Sequence, residues 1–145
     1  MLPRVASPPS RWVLALIVLP FAFLGLVGHD PWKTADAVTI EIVSQMLRGG
    51  DWLVPRIAGE PWIDDPPLYH WTAMLLAAML GWILPLHGAA RLASALFLLA
   101  AIWMTYYAAR RSAEADQRRM AAASAALVLA GSIGLVVHAH EAVPD

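Results

Sequence analysis

Residues 89–109 read AARLASALFLLAAIWMTYYAA, and residues 110–119, which follow directly, read RRSAEADQRR. A transmembrane helix needs about 20 consecutive, mainly apolar residues, a requirement that residues 89–109 meet. Short arginine-rich loops beside a span stay on the cytoplasmic side of a bilayer. Together the two stretches predict a membrane-spanning helix whose carboxyl end lies in the cytoplasm.

The composition of the whole chain also favours a membrane protein. Its 145 residues are 59% hydrophobic and 14% charged, with a mean hydropathy of +0.58, whereas soluble globular chains are about 45–50% apolar and about 25% charged. The chain has no cysteine, which excludes disulfides and thiolate metal sites. The formal net charge is only -1, and the arginines mark topology rather than a nucleic-acid surface. We therefore expect a bilayer, and no nucleic acid, as a partner.

Apolar runs near each end of the chain complete the predicted spans. Arg4 and Arg11 precede the first run, which we interpret as a retained signal anchor with a cytoplasmic N-terminus. The predicted fold is an all-α membrane protein with three transmembrane helices, a single membrane-embedded unit in a bacterial inner membrane. The predicted boundaries are 12–28, 89–109 and 120–137 for the spans, 29–88 for the first extracytoplasmic loop, 110–119 for the cytoplasmic loop and 138–145 for the start of the second extracytoplasmic loop.

Two juxtamembrane helices are predicted within the first outer loop. Apolar residues at helical spacing predict an amphipathic helix at 35–47, with Asp36 on another face and a stop at Gly49. The segment 68–86 has to begin and end outside because the neighbouring spans fix both of its ends, so it is predicted to lie in the interface. The apolar positions of the first helix are Val38, Ile42, Val43, Met46 and Leu47.

The stretch between these helices, residues 51–67, is rich in proline and tryptophan. Its prolines are too frequent for a helix or a regular strand, which predicts an ordered interfacial loop. The outer loop as a whole holds seven of the chain's eleven acids: Asp30, Asp36, Glu41, Asp51, Glu60, Asp64 and Asp65.

Two groups of residues in this loop suit chemistry at a membrane surface. Asp30 and Lys33 could position a hydroxyl acceptor and a phosphate, or they could be a helix-initiating acid and a snorkelling lysine. Asp64 and Asp65 precede a rigid proline pair and could bind a metal ion or do acid–base work. The alternative for this pair is a structural turn.

A third group lies at the end of the chain. His138 and His140, with Glu141 and Asp145, could bind a divalent metal if the segment is extended, since only then do the two histidines share a face. The alternative is a set of polar residues that caps the last span at the headgroup level.

Three stretches, GDWLVP at 50–55, GEPWIDDPPLYHW at 59–71 and AARLASA at 89–95, carry a family resemblance in their order along the chain. They resemble the N-terminal part of membrane-embedded GT-C glycosyltransferases, in the aminoarabinose transferase-like and protein O-mannosyltransferase-like group. The resemblance implies transfer of a sugar from a polyprenyl-phosphate donor to a lipid, glycan or protein acceptor on the outer face of the membrane.

The resemblance also implies roles for individual residues. Asp30 and Asp145 are implied to be catalytic acids, and Asp64 is implied to contact a metal or the acceptor. Many relatives have lysine where this chain has Asp65, so the donor phosphate would need Lys33, Arg56 or a metal instead. The implied substrate-binding residues are Lys33, Arg56, Asp64, Asp65 and Tyr69, and the implied metal ligands are Asp64, His138 and His140.

A second hypothesis from a different class is a small non-enzymatic membrane subunit whose aromatic, acidic loop binds a partner.

Three spans are too few to enclose a donor pocket. We therefore expect residues 1–145 to be part of a longer enzyme and to be inactive by themselves.

Overall fold

The structure is a computed structural model that describes residues 8–23 and 34–132. The predicted site residues Asp30, Lys33, His138, His140 and Asp145 lie outside this part of the chain. The described elements are α1 (Arg11–Phe23), α2 (Thr34–Leu47), β1 (Arg56–Ile57), β2 (Glu60–Pro61), α3 (Pro67–Leu80), α4 (Leu86–Ser112) and α5 (Arg118–Ala130).

Helix α4 is, among the described residues, the one helix long and apolar enough to cross a membrane. Its 27 residues correspond to a length of about 40 Å, against a hydrocarbon core of about 30 Å. Helix α1 is apolar but shorter, and its apolar part is Trp12–Phe23. The mainly helical fold agrees with the prediction, and α4 is a candidate span that contains residues 89–109; the number and the bounds of the spans stay predictions.

Helix α2 ends where the glycines predict. Gly49 adopts a positive φ of 90°, and the N–H of Gly50 donates to the Gln45 carbonyl at 2.9 Å. A Cβ atom at Gly50 would lie 2.8 Å from that same carbonyl oxygen, so the second position of this turn requires glycine as well. The turn directs the chain away from α2 into the loop.

Two helix boundaries differ from the prediction. Helix α3 ends at Leu80 instead of continuing to residue 86, because Pro85 has an extended backbone and starts a new helix. Helix α4 continues to Ser112 and includes Arg110 and Arg111 in its last turn. Arginine is a good helix former and is favoured near the negative end of the helix dipole, so the connection between α4 and α5 shrinks to residues 113–117.

The helices pack around two clusters of buried residues. The first joins α2, α3 and α4, and its alanines allow close approach of the backbones; it contains Ile42, Val43, Met46, Tyr69, Ala73, Met74, Ala77, Ala89, Ala90 and Ala93. The second joins α1, α4 and α5 and contains Ala22, Leu98, Ile102, Ala126 and Ala130.

The buried face of α2 differs in part from the predicted one. Leu47, assigned to the apolar face, is 40% exposed, whereas Asp36, assigned to another face, is 2% exposed. The reason is that Arg91, itself fully buried in α4, pairs with Asp36. A charged partner on a distant helix therefore overrides the apolar pattern at the start of α2.

Candidate functional site in the loop between α2 and α3

The loop between α2 and α3 begins with a turn that Asp51 stabilises. Its Oδ1 accepts hydrogen bonds from the N–H groups of Leu53 at 2.9 Å and Val54 at 3.3 Å. These bonds lower the pKa of the Asp51 carboxyl. Asp51 therefore acts locally, as a side chain that fixes the direction of the loop.

A small antiparallel hairpin follows, which corrects the prediction that residues 51–67 contain no regular strand. Arg56 pairs with Pro61 and Ile57 with Glu60. The connecting residues Ala58 and Gly59 have φ values of 52° and 90°, the left-handed conformation that two-residue hairpins need. Prolines fit here because each strand is only two residues long and lies at an edge.

Tryptophan side chains attach this loop to α3. The Trp71 indole on α3 donates to the carbonyl of Trp52 at 2.7 Å. The Trp62 indole donates to Asp65 Oδ2, and the Trp62 backbone N–H to the Pro55 carbonyl, both at 2.7 Å. The loop is therefore a platform held by specific hydrogen bonds, and its place at the membrane interface stays a prediction.

The predicted substrate-binding residues of this loop occupy different environments. Asp64 is exposed and has no hydrogen-bond partner among the described residues, so its carboxylate is available to a ligand. Asp65, half-buried, already accepts the Trp62 indole N–H. Arg56 is exposed and donates from Nη1 to the Gly59 carbonyl at 2.9 Å, which leaves further N–H groups of its guanidinium for a phosphate.

Tyr69 differs from these residues because it faces the inside of the helix cluster. It is 6% exposed, and its hydroxyl lies 2.7 Å from Ser94 Oγ on α4. Burial raises the pKa of Tyr69 to about 12, so the hydroxyl stays protonated at neutral pH. In this structure Tyr69 joins α3 to α4, and its substrate contact stays a prediction.

No three acidic or histidine side chains come together as metal ligands within residues 8–23 and 34–132. Asp64 is the one predicted metal ligand inside these ranges, and the other two, His138 and His140, lie outside them. A metal at Asp64 would need ligands from beyond the described residues. Metal binding at Asp64 therefore stays a prediction.

A polar pair that was not predicted from the sequence joins α2 to α4. Arg91 donates from Nη2 to Asp36 Oδ2 at 2.6 Å and from Nε to Asp36 Oδ1 at 3.3 Å, a two-point contact of guanidinium with carboxylate. The signal was present, because an arginine inside an apolar span points to a specific partner. The pair fixes the beginning of the amphipathic helix against the candidate span.

His70 is a further buried polar residue whose burial was not predicted from the sequence. Its ring is fully buried, and neither ring nitrogen has a hydrogen-bond partner of normal geometry among the described residues. Burial lowers the pKa of His70, and the nearby Asp65 carboxylate and Pro66 carbonyl oppose that shift without reversing it. The ring is therefore neutral in the folded chain at neutral pH.

We expect the folded state to lose stability as the pH falls below about 6.5, the ordinary pKa of histidine. The folded-state pKa of His70 is lowered, so the unfolded chain binds the proton more readily. The free energy of unfolding then decreases by at most about 1.4 kcal/mol per pH unit. Thermal unfolding of the chain in detergent micelles between pH 8 and pH 5 measures this slope.

The matched variants are His70→Leu, which should remove this contribution, and His87→Leu, at a half-buried histidine at the start of α4, which should keep it. An unchanged slope in His70→Leu would assign the pH dependence to other groups.

The described residues thus define a helical membrane-type protein with an ordered aromatic and acidic loop between two short helices and a long apolar helix. Several curated proteins are similar to this chain in sequence, three of which follow. The undecaprenyl phosphate-α-4-amino-4-deoxy-L-arabinose arabinosyl transferase 1 of Pseudomonas fluorescens is 31% identical over 130 residues, which cover 88% of this chain and 22% of the relative. Transferase 2 of another P. fluorescens strain is 29% identical, covering 90% of this chain and 22% of its own length. The corresponding transferase of Pseudomonas aeruginosa is also 29% identical, with coverages of 90% and 23%.

These matches confirm the resemblance stated from the motifs. The chain is similar to undecaprenyl phosphate-aminoarabinose arabinosyl transferases over about nine-tenths of its own length. It spans about a fifth of the length of these relatives. No protein-family model matches the chain, and no solved structure matches it.

Proposed function

We propose that the chain contributes the first outer loop and adjoining helices of a membrane glycosyltransferase that moves a sugar from a polyprenyl-phosphate donor to an acceptor. The observation that carries the proposal is the 31% identity over 130 residues to a transferase named for an undecaprenyl phosphate-linked aminoarabinose. By that likeness the transferred group is a pentose, and aminoarabinose is the first candidate. The matches do not favour the alternative of a non-enzymatic subunit.

The proposed reaction needs few groups from the protein. An acceptor hydroxyl attacks the anomeric carbon of the sugar, the bond from that carbon to the phosphate oxygen breaks, and polyprenyl phosphate leaves with the electron pair. A carboxylate takes the hydroxyl proton, and cations stabilise the charge that develops on the departing phosphate. In our proposal Asp30 and Asp145 supply the carboxylates.

The loop between α2 and α3 would supply the remaining contacts. Asp64, exposed beside the proline pair, is proposed to contact the acceptor or a divalent metal. Arg56, exposed on β1, and Lys33 are proposed to replace the lysine that relatives have at the position of Asp65. This platform is already ordered by its tryptophan hydrogen bonds, which reduces the ordering cost of substrate binding.

The location of the reaction follows from the topology argument. Arg110 and Arg111 lie in the last turn of α4, and they are expected to keep that end in the cytoplasm. The loop precedes α4, so it is proposed to lie on the outer face of the bacterial inner membrane, with the N-terminus of the chain in the cytoplasm. The acceptor could be a lipid, glycan or protein.

Sugar transfer by a chimera tests the proposal. The matching stretch of the P. fluorescens transferase is replaced by this chain, and transfer of aminoarabinose from undecaprenyl phosphate is assayed in membranes. We expect activity in the chimera and a loss of about 100-fold or more in Asp30→Asn, since one positioned acid or base contributes about that much. Asp64→Asn should also lower the rate, because it removes the carboxylate that is proposed to contact the acceptor or a metal.

The control is Glu60→Gln, which removes an exposed acid from the same hairpin and should leave the rate within about twofold of the unsubstituted chimera. Unchanged turnover in both Asp30→Asn and Asp64→Asn would contradict the roles proposed for these two residues. A chimera that folds and inserts but transfers no sugar would contradict the proposed function itself.

A further inference from the structure

A cavity lies at the carboxyl end of α4, away from the loop between α2 and α3. Its volume is about 450 Å³, and its lining includes Ser10, Trp12, Tyr106, Arg110 and Arg119. These residues come from the start of α1, the end of α4 and the start of α5. The cavity is therefore where three helices that are separate in the sequence meet.

The charge of this cavity is unbalanced. Arg110 and Arg119 both line it, and neither has an ion-pair partner within the part of the chain that the structure describes. Two like charges beside one cavity repel each other unless an anion lies between them. Arg119 also lies in the first turn of α5, where the helix dipole adds to the positive potential.

The neighbouring arginine behaves differently. Arg111 hydrogen-bonds to the Tyr107 hydroxyl, and its guanidinium carbon lies 4.8 Å from the centre of the Tyr107 ring. Tyr107 in turn stacks on Trp103, with ring centres 5.9 Å apart. Arg111 does not line the cavity, so the two adjacent arginines have separate surroundings.

The surface next to the cavity is apolar. Trp12, at its edge, is 85% exposed, and Leu16 one turn further along α1 is 76% exposed. Exposed tryptophan at the end of an apolar helix is typical of the headgroup level of a bilayer. A ligand with a phosphate and acyl chains would thus find cations inside the cavity and an apolar helix face directly beside it.

We propose that this cavity binds the phosphate headgroup of an anionic phospholipid, with Arg110 and Arg119 as the charged contacts and the Ser10 and Tyr106 hydroxyls as hydrogen-bonding groups. The acyl chains lie along the exposed face of α1. This lipid site is separate from the sugar-transfer site: Tyr69, beside the loop, contacts α4 at Ser94, and the cavity residues Tyr106 and Arg110 lie about 18–24 Å further along the α4 axis. Its occupancy joins α1, α4 and α5 at the basic side of the membrane.

Native mass spectrometry of the full chain tests the proposal by counting the lipids that stay bound. The chain is taken from nanodiscs of phosphatidylglycerol or of phosphatidylcholine into a mild detergent. We expect phosphatidylglycerol to be retained and phosphatidylcholine to be lost. Arg110→Gln and Arg119→Gln should each lower retention of phosphatidylglycerol by about fivefold, the effect of one basic residue near an anionic surface. Arg110→Lys, which keeps the charge, should retain most of the bound phosphatidylglycerol.

Arg111→Gln is the matched control, because it removes the same charge one residue away from the cavity. It should change retention by less than about twofold. If Arg111→Gln lowered phosphatidylglycerol retention as much as the other two variants, the lipid would be held by diffuse surface charge and not by this cavity. Equal retention of the two lipids by the unsubstituted chain would also overturn the proposal. Displacement of the lipid by excess inorganic phosphate would assign the cavity to a free anion. The comparison of phosphatidylglycerol with phosphatidylcholine uses only the unsubstituted chain, so it tests the proposal even if a variant does not fold. Circular dichroism verifies that each variant is folded.

Discussion

Arg91→Met should lower the free energy of unfolding by about 3–5 kcal/mol, the cost of removing one partner from a buried ion pair. Asp36 is 2% exposed, so its carboxylate would lose the guanidinium without gaining water. The methionine fills most of the space of the arginine stem, which restricts the change mainly to charge. Unfolding of the chain by increasing sodium dodecyl sulfate in micelles, followed by far-ultraviolet ellipticity, measures the loss.

Two further variants separate charge from packing at this pair. Asp36→Asn removes the opposite charge and should be destabilising by a similar amount, because it takes the Asp36 carboxylate away from a buried guanidinium. The double variant Asp36→Leu with Arg91→Met removes both charges and should recover most of the loss of either single variant. A loss below about 1 kcal/mol in Arg91→Met would mean that solvent reaches the pair.

The second large effect is expected for Ile42→Ala in the apolar face of α2. Ile42 is fully buried in the cluster that joins α2, α3 and α4. Truncation of a large aliphatic side chain in such a core costs about 2–5 kcal/mol, through lost burial and the cavity left behind. The same unfolding titration applies.

Leu47→Ala on the same helix is the control, since Leu47 is 40% exposed. Its change in unfolding free energy should stay below about 1 kcal/mol, as is usual for surface substitutions. Similar losses in Ile42→Ala and Leu47→Ala would contradict the packing of α2 against α3 and α4.

Much of the secondary structure could be predicted because its determinants are local. Apolar spacing together with Gly49 and Gly50 places the amphipathic helix, and the structure has it at Thr34–Leu47. The long apolar run gives α4. The end of α3 was predicted too late because residues 81–84 are mostly apolar, and only the backbone turn before Pro85 separates the two helices.

The polar contacts between helices could not be predicted in the same way. Asp36 and Arg91 are 55 positions apart in the chain, and hydrophobic periodicity treats a charged residue as exposed. Tyr69 and Ser94 form a similar contact across 25 positions. Which polar residues become buried depends on how the helices pack, and a single sequence does not record that.

The same distinction, between what local sequence signals predict and what depends on packing, applies to the candidate site. The motifs placed Asp64, Asp65 and Arg56 in one short loop, and the structure orders that loop through a two-residue hairpin and the tryptophan hydrogen bonds. Nothing in the spacing of residues distinguished the exposed Asp64 from Asp65, which is held by Trp62. The roles of Asp30, Lys33, His138, His140 and Asp145 stay predictions.

Helices α2 and α3 are both fastened to one turn of α4, through Arg91 and Ser94. Because α4 is about 40 Å long and the hydrocarbon core is about 30 Å thick, a bilayer would accommodate the difference by tilting α4. The loop would then turn with the helix. Membrane thickness thereby becomes a physical variable that sets the angle at which the acidic platform would face the proposed lipid-borne donor.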